Sequence, residues 1–172
     1  MEAREEVNGF APIIDKTDKI LILGSIPSKK SRENGFYYAN HTNRFWKILS
    51  DIYNEDFTGV NFYGKRQLLL KHKIALYDVY YSCEMRKNGS SLDSDITNKR
   101  LNDIPSLIKD SEVKTIYVTS KKAYNDFVKE FGEKLEKDGV KIINLPSPSS
   151  ANRSVYKTDD ELINAWKKLI KP

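Results

Sequence analysis

Short unbroken apolar runs alternate along this chain with longer stretches whose apolar positions recur every three or four residues. The runs are Lys19 to Gly24, Lys73 to Val79, Lys114 to Thr119 and Val140 to Leu145. Each is too short for a helix and too uniformly apolar for a half-exposed strand, so each predicts a strand buried on both faces. The helical spacing is clearest in Arg44 to Tyr53, Gly64 to Lys71, Lys121 to Phe131 and Asp159 to Ile170. Thr158 or Asp159 can cap the last of these; acidic residues fill its first turn and lysines its last, as the helix dipole favours. Strands alternating with helices predict an α/β fold: a parallel sheet covered on both faces. Asn88-Gly89-Ser90-Ser91 opens a connection that reaches about Pro105, long enough to be functional rather than a simple turn.

In a parallel sheet the carboxyl ends of the strands share one rim, where open α/β sheets bind ligands. Here that rim collects Gly24-Ser25-Ile26-Pro27-Ser28, Tyr77-Asp78, Thr119-Ser120-Lys121 and Pro146-Ser147-Pro148-Ser149-Ser150-Ala151-Asn152. All are rich in hydroxyl, amide or proline groups. The first run, Ile20-Leu21-Ile22-Leu23, leads through its turn toward an aromatic segment, Phe36-Tyr37-Tyr38-Ala39-Asn40-His41-Thr42-Asn43-Arg44-Phe45-Trp46. Flat aromatic walls beside an amide and a guanidinium suit a planar base.

Composition narrows the choice of chemistry. The chain has 172 residues, enough for one domain spanning 1–172 with a sizeable core. No apolar run has the length of a membrane span. The charged start, Met1-Glu2-Ala3-Arg4-Glu5-Glu6, is unlike a secretory signal, so the expected compartment is cytoplasmic, a prokaryotic cytosol or nucleoid. One cysteine, Cys83, excludes both an internal disulfide framework and a four-cysteine iron–sulfur cluster. Two histidines far apart, His41 and His72, argue against zinc, and neither metal nor cofactor is expected. The formal charge of +5 is compatible with a polyanionic partner but is shared by many lysine-rich proteins.

Taken in order and spacing, several motifs resemble the uracil-DNA glycosylase superfamily, and within it the hypoxanthine-DNA (deoxyinosine) glycosylase branch. They are Ile22-Leu23-Gly24-Ser25-Ile26-Pro27-Ser28, Tyr37-Tyr38-Ala39 through Asn43-Arg44-Phe45-Trp46, Ala75-Leu76-Tyr77-Asp78-Val79 with Ser82-Cys83-Glu84, Gly89 to Asp95, and Leu145-Pro146-Ser147-Pro148-Ser149-Ser150-Ala151-Asn152. The likeness runs from about Phe10 to Trp166.

The resemblance implies a three-layer α/β/α sandwich on a short four-stranded parallel sheet, and a monofunctional enzyme that releases a deaminated base flipped out of double-stranded DNA. It implies that Asn43 is the catalytic residue, acting on the water or on the base edge. Base-binding groups would be Gly24, Ser25, Ile26, Pro27, one or both of Tyr37 and Tyr38, and Asp78. DNA contacts would come from Ser28, Ser120, Lys121, Ser147, Pro148, Ser149, Asn152 and Arg153. No metal or membrane is implied, and a monomer is the expectation.

Ile26 stands where uracil-specific branches carry Asp or Asn, and Leu145 where the main uracil enzymes carry histidine; both departures point away from uracil. Asn40-His41-Thr42 replaces a more usual His-Pro-basic run. Each singled-out residue also has a purely structural role to set beside this one. Asn43 can cap the helix at Arg44, Asp78 can cap the segment after its strand, and Phe45 and Trp46 sit at core spacing with Leu49. Three other functions stay open on the residues alone. One is a uracil or mismatched-thymine glycosylase of the same fold; another is a DNA-binding module without turnover. The third, a flavodoxin-like small-molecule binder, lacks a Gly-rich phosphate loop.

Overall fold

The structure is a computed structural model describing residues 3–87 and 96–170. The motif at Gly89 to Asp95 and the Asn88-Gly89-Ser90-Ser91 break lie outside the described residues.

Four strands form the central parallel sheet: β2 (Ile20–Gly24), β3 (Ile74–Asp78), β6 (Thr115–Val118) and β7 (Lys141–Asn144), in spatial order β3-β2-β6-β7. They fall inside the four apolar runs and are one or two residues shorter at the ends. Lys73, for example, takes a left-handed φ of 60° and turns the chain just ahead of β3. Pleating divides each strand between two cores. Leu21 and Leu23 of β2 face one side with Ala75, Ile116 and Val118, while Ile22 faces the other with Ile74, Leu76 and Tyr117.

On the Ile22 side lie helices α2 (Phe45–Tyr53), α3 (Phe62–Lys71) and α6 (Asp159–Leu169), which bury Phe45, Trp46, Ile48, Leu49, Leu69, Leu162, Ile163 and Trp166. On the Leu21 side lie α4 (Ile104–Ile108) and α5 (Lys121–Lys137). A short helix, α1 (Lys29–Asn34), follows the first loop. These layers are the α/β/α sandwich.

Local chemistry explains where the helices begin and end. Asn61 accepts the amide of Gly64, which starts α3 at Phe62, two residues before its apolar spacing becomes legible. Ser120 caps α5 by accepting the amide of Ala123. That helix runs to Lys137, past Phe131, because Leu135 continues its buried face. Thr158 and Glu161 form a reciprocal capping box at the start of α6.

A second sheet was not legible in the sequence. Strands β1 (Arg4–Asn8), β4 (Tyr80–Arg86) and β5 (Thr97–Leu101) pair antiparallel in the order β1-β4-β5. β4 fills the stretch between β3 and Asn88, and β5 lies within the connection expected from Asn88 to about Pro105. Val7, Tyr80, Cys83 and Met85, with the partly buried Leu101, carry the apolar face of this sheet into the Leu21-side core. The outer positions are charged, so the alternation is too sparse to read as strand.

Candidate active site

Strands β2 and β3 step to one side of the sheet and β6 and β7 to the other, so the topology switches between β2 and β6, where α/β sheets open a crevice. A cavity of about 280 Å³ opens at that rim. Gly24 and Asp78 pair in register at the ends of β2 and β3, and Thr119 directly follows β6. Seventeen of the described residues border the cavity, at the ends of this rim or on the segments that follow it.

Gly24 is required by close approach. A Cβ there would stand 2.6 Å from Asp78 Oδ1 and 3.0 Å from Tyr38 Oη. The Gly24 and Ser25 carbonyls accept the amides of Val79 (2.8 Å) and Tyr80 (3.0 Å), so the first loop is fastened to the chain leaving Asp78. Asn102 adds a further clamp, donating Nδ2 to the Asp78 carbonyl (2.9 Å) while accepting from Tyr77 Oη (2.8 Å).

Asp78 itself is buried, and its Oδ2 has no hydrogen-bond partner. Burial pushes its carboxyl up to about 7. A buried carboxyl without a partner, bordering an open cavity, is a group waiting for a ligand.

The two tyrosines are placed differently. Tyr37 is 3% exposed, its ring set edge-on to Phe10 and Phe36, and its hydroxyl donates to the Ala11 carbonyl at 2.6 Å. It reaches the cavity only as part of the core wall. Tyr38 is half-buried, with a left-handed φ of 50°. Phe45 stacks on one face of its ring at 3.8 Å, so a ligand meets only the other face or the hydroxyl edge. That hydroxyl lies 3.5 Å from Thr119 Oγ1.

Asn43 borders the cavity at the start of α2. Its Oδ1 accepts the Phe45 amide at 2.9 Å, the cap-like role its type predicts. This bond fixes the side-chain amide and leaves Nδ2 as a donor. Arg44 then ties α2 to the opposite loop. Its main-chain N–H donates to the Pro148 carbonyl (3.0 Å), and its guanidinium donates to the carbonyls of Tyr156 (2.8 Å) and Ser149 (3.3 Å).

The Pro146 to Asn152 loop is rigid for stated reasons. Trp166 Nε1 donates to the Pro146 carbonyl (2.9 Å) and Asn152 Nδ2 to the Ser147 carbonyl (3.0 Å). Ser149 caps a 3-10 helix over Ser150–Ser154. With Ser28 at α1 and Ser120 at α5, three helix N-caps border one cavity, and their positive ends favour negative charge there. Leu145, at the head of the loop, is 1% exposed and belongs to the core. Ile26 is 8% exposed at the cavity wall and offers no polar atom of its side chain.

Of the residues expected at the site, Asn43, Gly24, Ser25, Ile26, Pro27, Tyr37, Tyr38, Asp78, Ser28, Ser120, Ser147, Pro148, Ser149 and Asn152 all border this cavity. Lys121 and Arg153 do not. Lys121 Nζ lies over the Tyr124 ring at 5.1 Å, and Arg153 pairs with Asp159 at 3.6 Å. Thr119 and Ala151, which stand in the rim segments but were given no role in the sequence reading, and Ser31, which was not named there, also border the cavity. Ser31 lies one helical turn beyond Ser28, and Thr119 stands next to a named residue at a strand end; both signals are readable once the rim is known.

Comparison with known proteins agrees with this geometry. The family model of the Uracil DNA glycosylase superfamily matches residues 11–170. The chain is 32% identical over 152 residues to the Hypoxanthine DNA glycosylase of Methanosarcina barkeri (strain Fusaro / DSM 804), covering 87% of this chain and 90% of that protein. The protein of the same name from Methanosarcina acetivorans is 32% identical over 153 residues, with the same coverage of each. A solution NMR structure of a Methanosarcina acetivorans protein assigned to the uracil DNA glycosylases superposes with a TM-score of 0.76 at 28% identity, covering 96% of this chain and 99% of that one. With a superfamily match over nearly its whole length, the chain belongs to the uracil-DNA glycosylase superfamily and is an enzyme of the DNA-glycosylase kind.

Proposed function

We propose that the chain hydrolyses the N-glycosidic bond of a flipped deaminated base in double-stranded DNA, with hypoxanthine the preferred base, and that it does so as a monomer without strand cleavage. The observation that carries the preference is Asp78, a buried carboxyl with an unpartnered oxygen at the edge of a cavity whose wall is apolar at Ile26. The two Methanosarcina relatives named Hypoxanthine DNA glycosylase support the same reading.

Glycosidic cleavage develops positive charge on the sugar and negative charge on the departing base. Asn43 Nδ2, held by the bond from Phe45 N–H to its Oδ1, donates to the base edge as that charge grows. The Asp78 carboxyl meets the hypoxanthine edge, accepting from the ring N–H when ionised and donating when protonated. Only the protonated form also stabilises the anionic base; an ionised carboxylate beside it is repelled. Main-chain N–H groups at the helix starts behind Ser28, Ser120 and Ser149 receive phosphate or base oxygens. No lysine is among the described residues bordering the cavity, which supports hydrolysis rather than a Schiff-base route.

Single-turnover excision from end-labelled duplexes tests the reading, each duplex holding one hypoxanthine, uracil, xanthine or mispaired thymine, with alkali to reveal abasic sites. Hypoxanthine release is expected, falling on the order of 10²–10³-fold in Asn43→Ala with a modest loss of DNA affinity. Release of uracil alone overturns the preference. Tight binding without product from any duplex overturns the catalytic reading, and nicking without alkali overturns the monofunctional one.

A further inference from the structure

A second cavity, of about 460 Å³, lies against the base cavity. The two share Tyr38 and Asn43, so the 38–43 segment acts as a partition between them. Nothing in the proposed excision chemistry uses this second space.

Its aromatic wall is preformed. Phe62 is 42% exposed, although one face of its ring is stacked on Phe36 at 4.5 Å and 13°. Phe36 is stacked in turn on Trp46 at 5.9 Å and 20°, and Trp46 is held by its Nε1 donating to the Tyr37 carbonyl at 3.1 Å. The exposed ring at the end of this stack therefore has a fixed plane and an uncovered side. A ring held in a fixed plane with one side open is a surface on which a nucleic-acid base can stack.

The charge around it is one-sided. Arg44, Lys47, Lys65 and Arg153 border the cavity, and Asp159 is the one acid among the described residues that do. Asp159 is shared, with Lys47 Nζ at 2.6 Å and Arg153 at 3.6 Å, so a single carboxylate serves two cations. Lys65 is mostly buried, its Nζ donating to the Val60 carbonyl at 2.6 Å and lying 5.5 Å from the Trp46 ring centroid. A rigid aromatic platform ringed by surplus positive charge is the recurrent arrangement for single-stranded nucleic acid, where rings stack bases and cations follow phosphates.

We infer that this cavity is a second nucleotide subsite. It would hold an unstacked neighbour of the flipped nucleotide on the same strand, with its base on Phe62 and its phosphates on Lys47 and Arg153. The inference rests on the base cavity accepting a flipped nucleotide: the strand delivering that nucleotide must continue past the partition, and this is the cationic, aromatic space beside it. These contacts need no complementary strand. The enzyme therefore grips a lesion-bearing single strand through the same subsite.

The test is fluorescence anisotropy with the full chain and a hypoxanthine-containing single-stranded oligonucleotide across a salt series. Phe62→Leu keeps apolar packing on Phe36 but removes the ring, and it is expected to weaken binding about tenfold. Phe62→Trp is expected to restore binding, which separates stacking from mere packing. Lys47→Gln with Arg153→Gln is expected to lower the slope of log affinity against log salt by about one to two. A fluorescent adenine analogue placed beside hypoxanthine, on either side in turn, is expected to change emission on binding from one side only, and to lose that change in Phe62→Leu. Wild-type affinity in Phe62→Leu overturns the subsite, as does an analogue signal that is equal on the two sides of hypoxanthine or unchanged in Phe62→Leu. These readouts do not require excision. Phe62-dependent binding without hypoxanthine release would leave the subsite standing and fail the base reading alone; hypoxanthine release with Phe62-independent binding would do the reverse.

Discussion

The main-chain N–H of Arg44 donates to the carbonyl of Pro148 at 3.0 Å, joining the start of α2 to the loop that closes the cavity from the other side. The guanidinium of the same residue reaches two more carbonyls of that loop region, at Ser149 and Tyr156. Arg44 is 3% exposed, so these bonds form away from solvent, where they hold position well. Thr42 Oγ1 adds a bond to Ser150 Oγ at 3.3 Å. The amide-bearing segment and the Pro-Ser loop thus move as one body.

Replacing Arg44 by Ala removes the two guanidinium bonds and leaves loop carbonyls unpaired. Because displacement of about 1 Å can cost on the order of 10²-fold in rate, excision in a single-turnover assay should fall by that order. Limited proteolysis within Ser147 to Tyr156 should quicken in parallel. Arg44→Lys, which cannot span both carbonyls, should recover little. A wild-type rate in Arg44→Ala would show that the loop holds its place without this clamp.

Gly24→Ala should close the cavity from its floor. The new methyl carbon meets Asp78 Oδ1 at 2.6 Å, inside any tolerated contact, and Tyr38 Oη at 3.0 Å. The Asp78 backbone cannot give way easily, since Asn102 holds its carbonyl and the Gly24 carbonyl is bonded to Val79 N–H. The carboxyl must rotate instead. Overpacking of this kind costs about 1–3 kcal/mol. A lowered melting temperature with base release nearly abolished is the expected pair of results; a variant with native activity would mean that Asp78 is freer than its burial implies.

Much of this arrangement was readable before any coordinates. Strands β2, β3 and β6 announced themselves because they are largely buried on both faces and carry few polar positions to blur the pattern. The edge strand β7 is only partly buried and was marked by Ile142 and Ile143 between turn residues. The shared rim of the four followed from topology, which is why hydroxyl and amide residues far apart in sequence could be assigned to one cavity. What escaped was of two kinds. The β1-β4-β5 sheet is covered on one face only, and residues such as Arg4, Glu5, Lys99 and Arg100 overwhelm the few buried positions. The fate of individual side chains also depends on neighbours distant in sequence. Tyr37 and Tyr38 are adjacent and chemically identical, yet Ala11 captures one hydroxyl while Thr119 stands beside the other. Arg153 looked like a companion of Asn152 but turns to Asp159 and the second cavity.

Thr158→Ala probes stability away from the chemistry. Thr158 Oγ1 accepts the Glu161 amide at 3.2 Å, and the Glu161 carboxylate accepts the Thr158 amide at 3.3 Å. Losing the cap should cost about 1 kcal/mol. Because α6 carries Trp166, whose Nε1 secures Pro146, early fraying should also appear as faster hydrogen exchange in the loop root. A loss of stability with no change at Pro146 to Ser149 would show that the loop is held chiefly from the Arg44 side.

Asp78→Asn separates the group's effects on stability and on rate through pH. The Asp78 carboxyl is raised by burial from 3.8 to about 7, so folding favours its protonated form. A carboxyl raised in this way contributes stability fully below its unfolded value near 4, and that contribution is lost as pH rises through about 7. Wild-type stability should therefore decline between pH 4 and 7 by an amount on the order of a few kcal/mol beyond what other groups contribute. The uncharged amide of the variant should flatten that decline, as read by denaturant melts at successive pH values. The rate should follow the same ionisation. If the protonated carboxyl is the form that stabilises the departing base, wild-type excision at saturating DNA falls above pH 7 with a single ionisation, while Asp78→Asn is slower at pH 6 and loses that limb. A wild-type rate that instead rises through pH 7 would show that the ionised carboxylate, accepting the ring N–H of hypoxanthine, is the working form. The stability prediction would survive that result, because it depends only on the burial of the group.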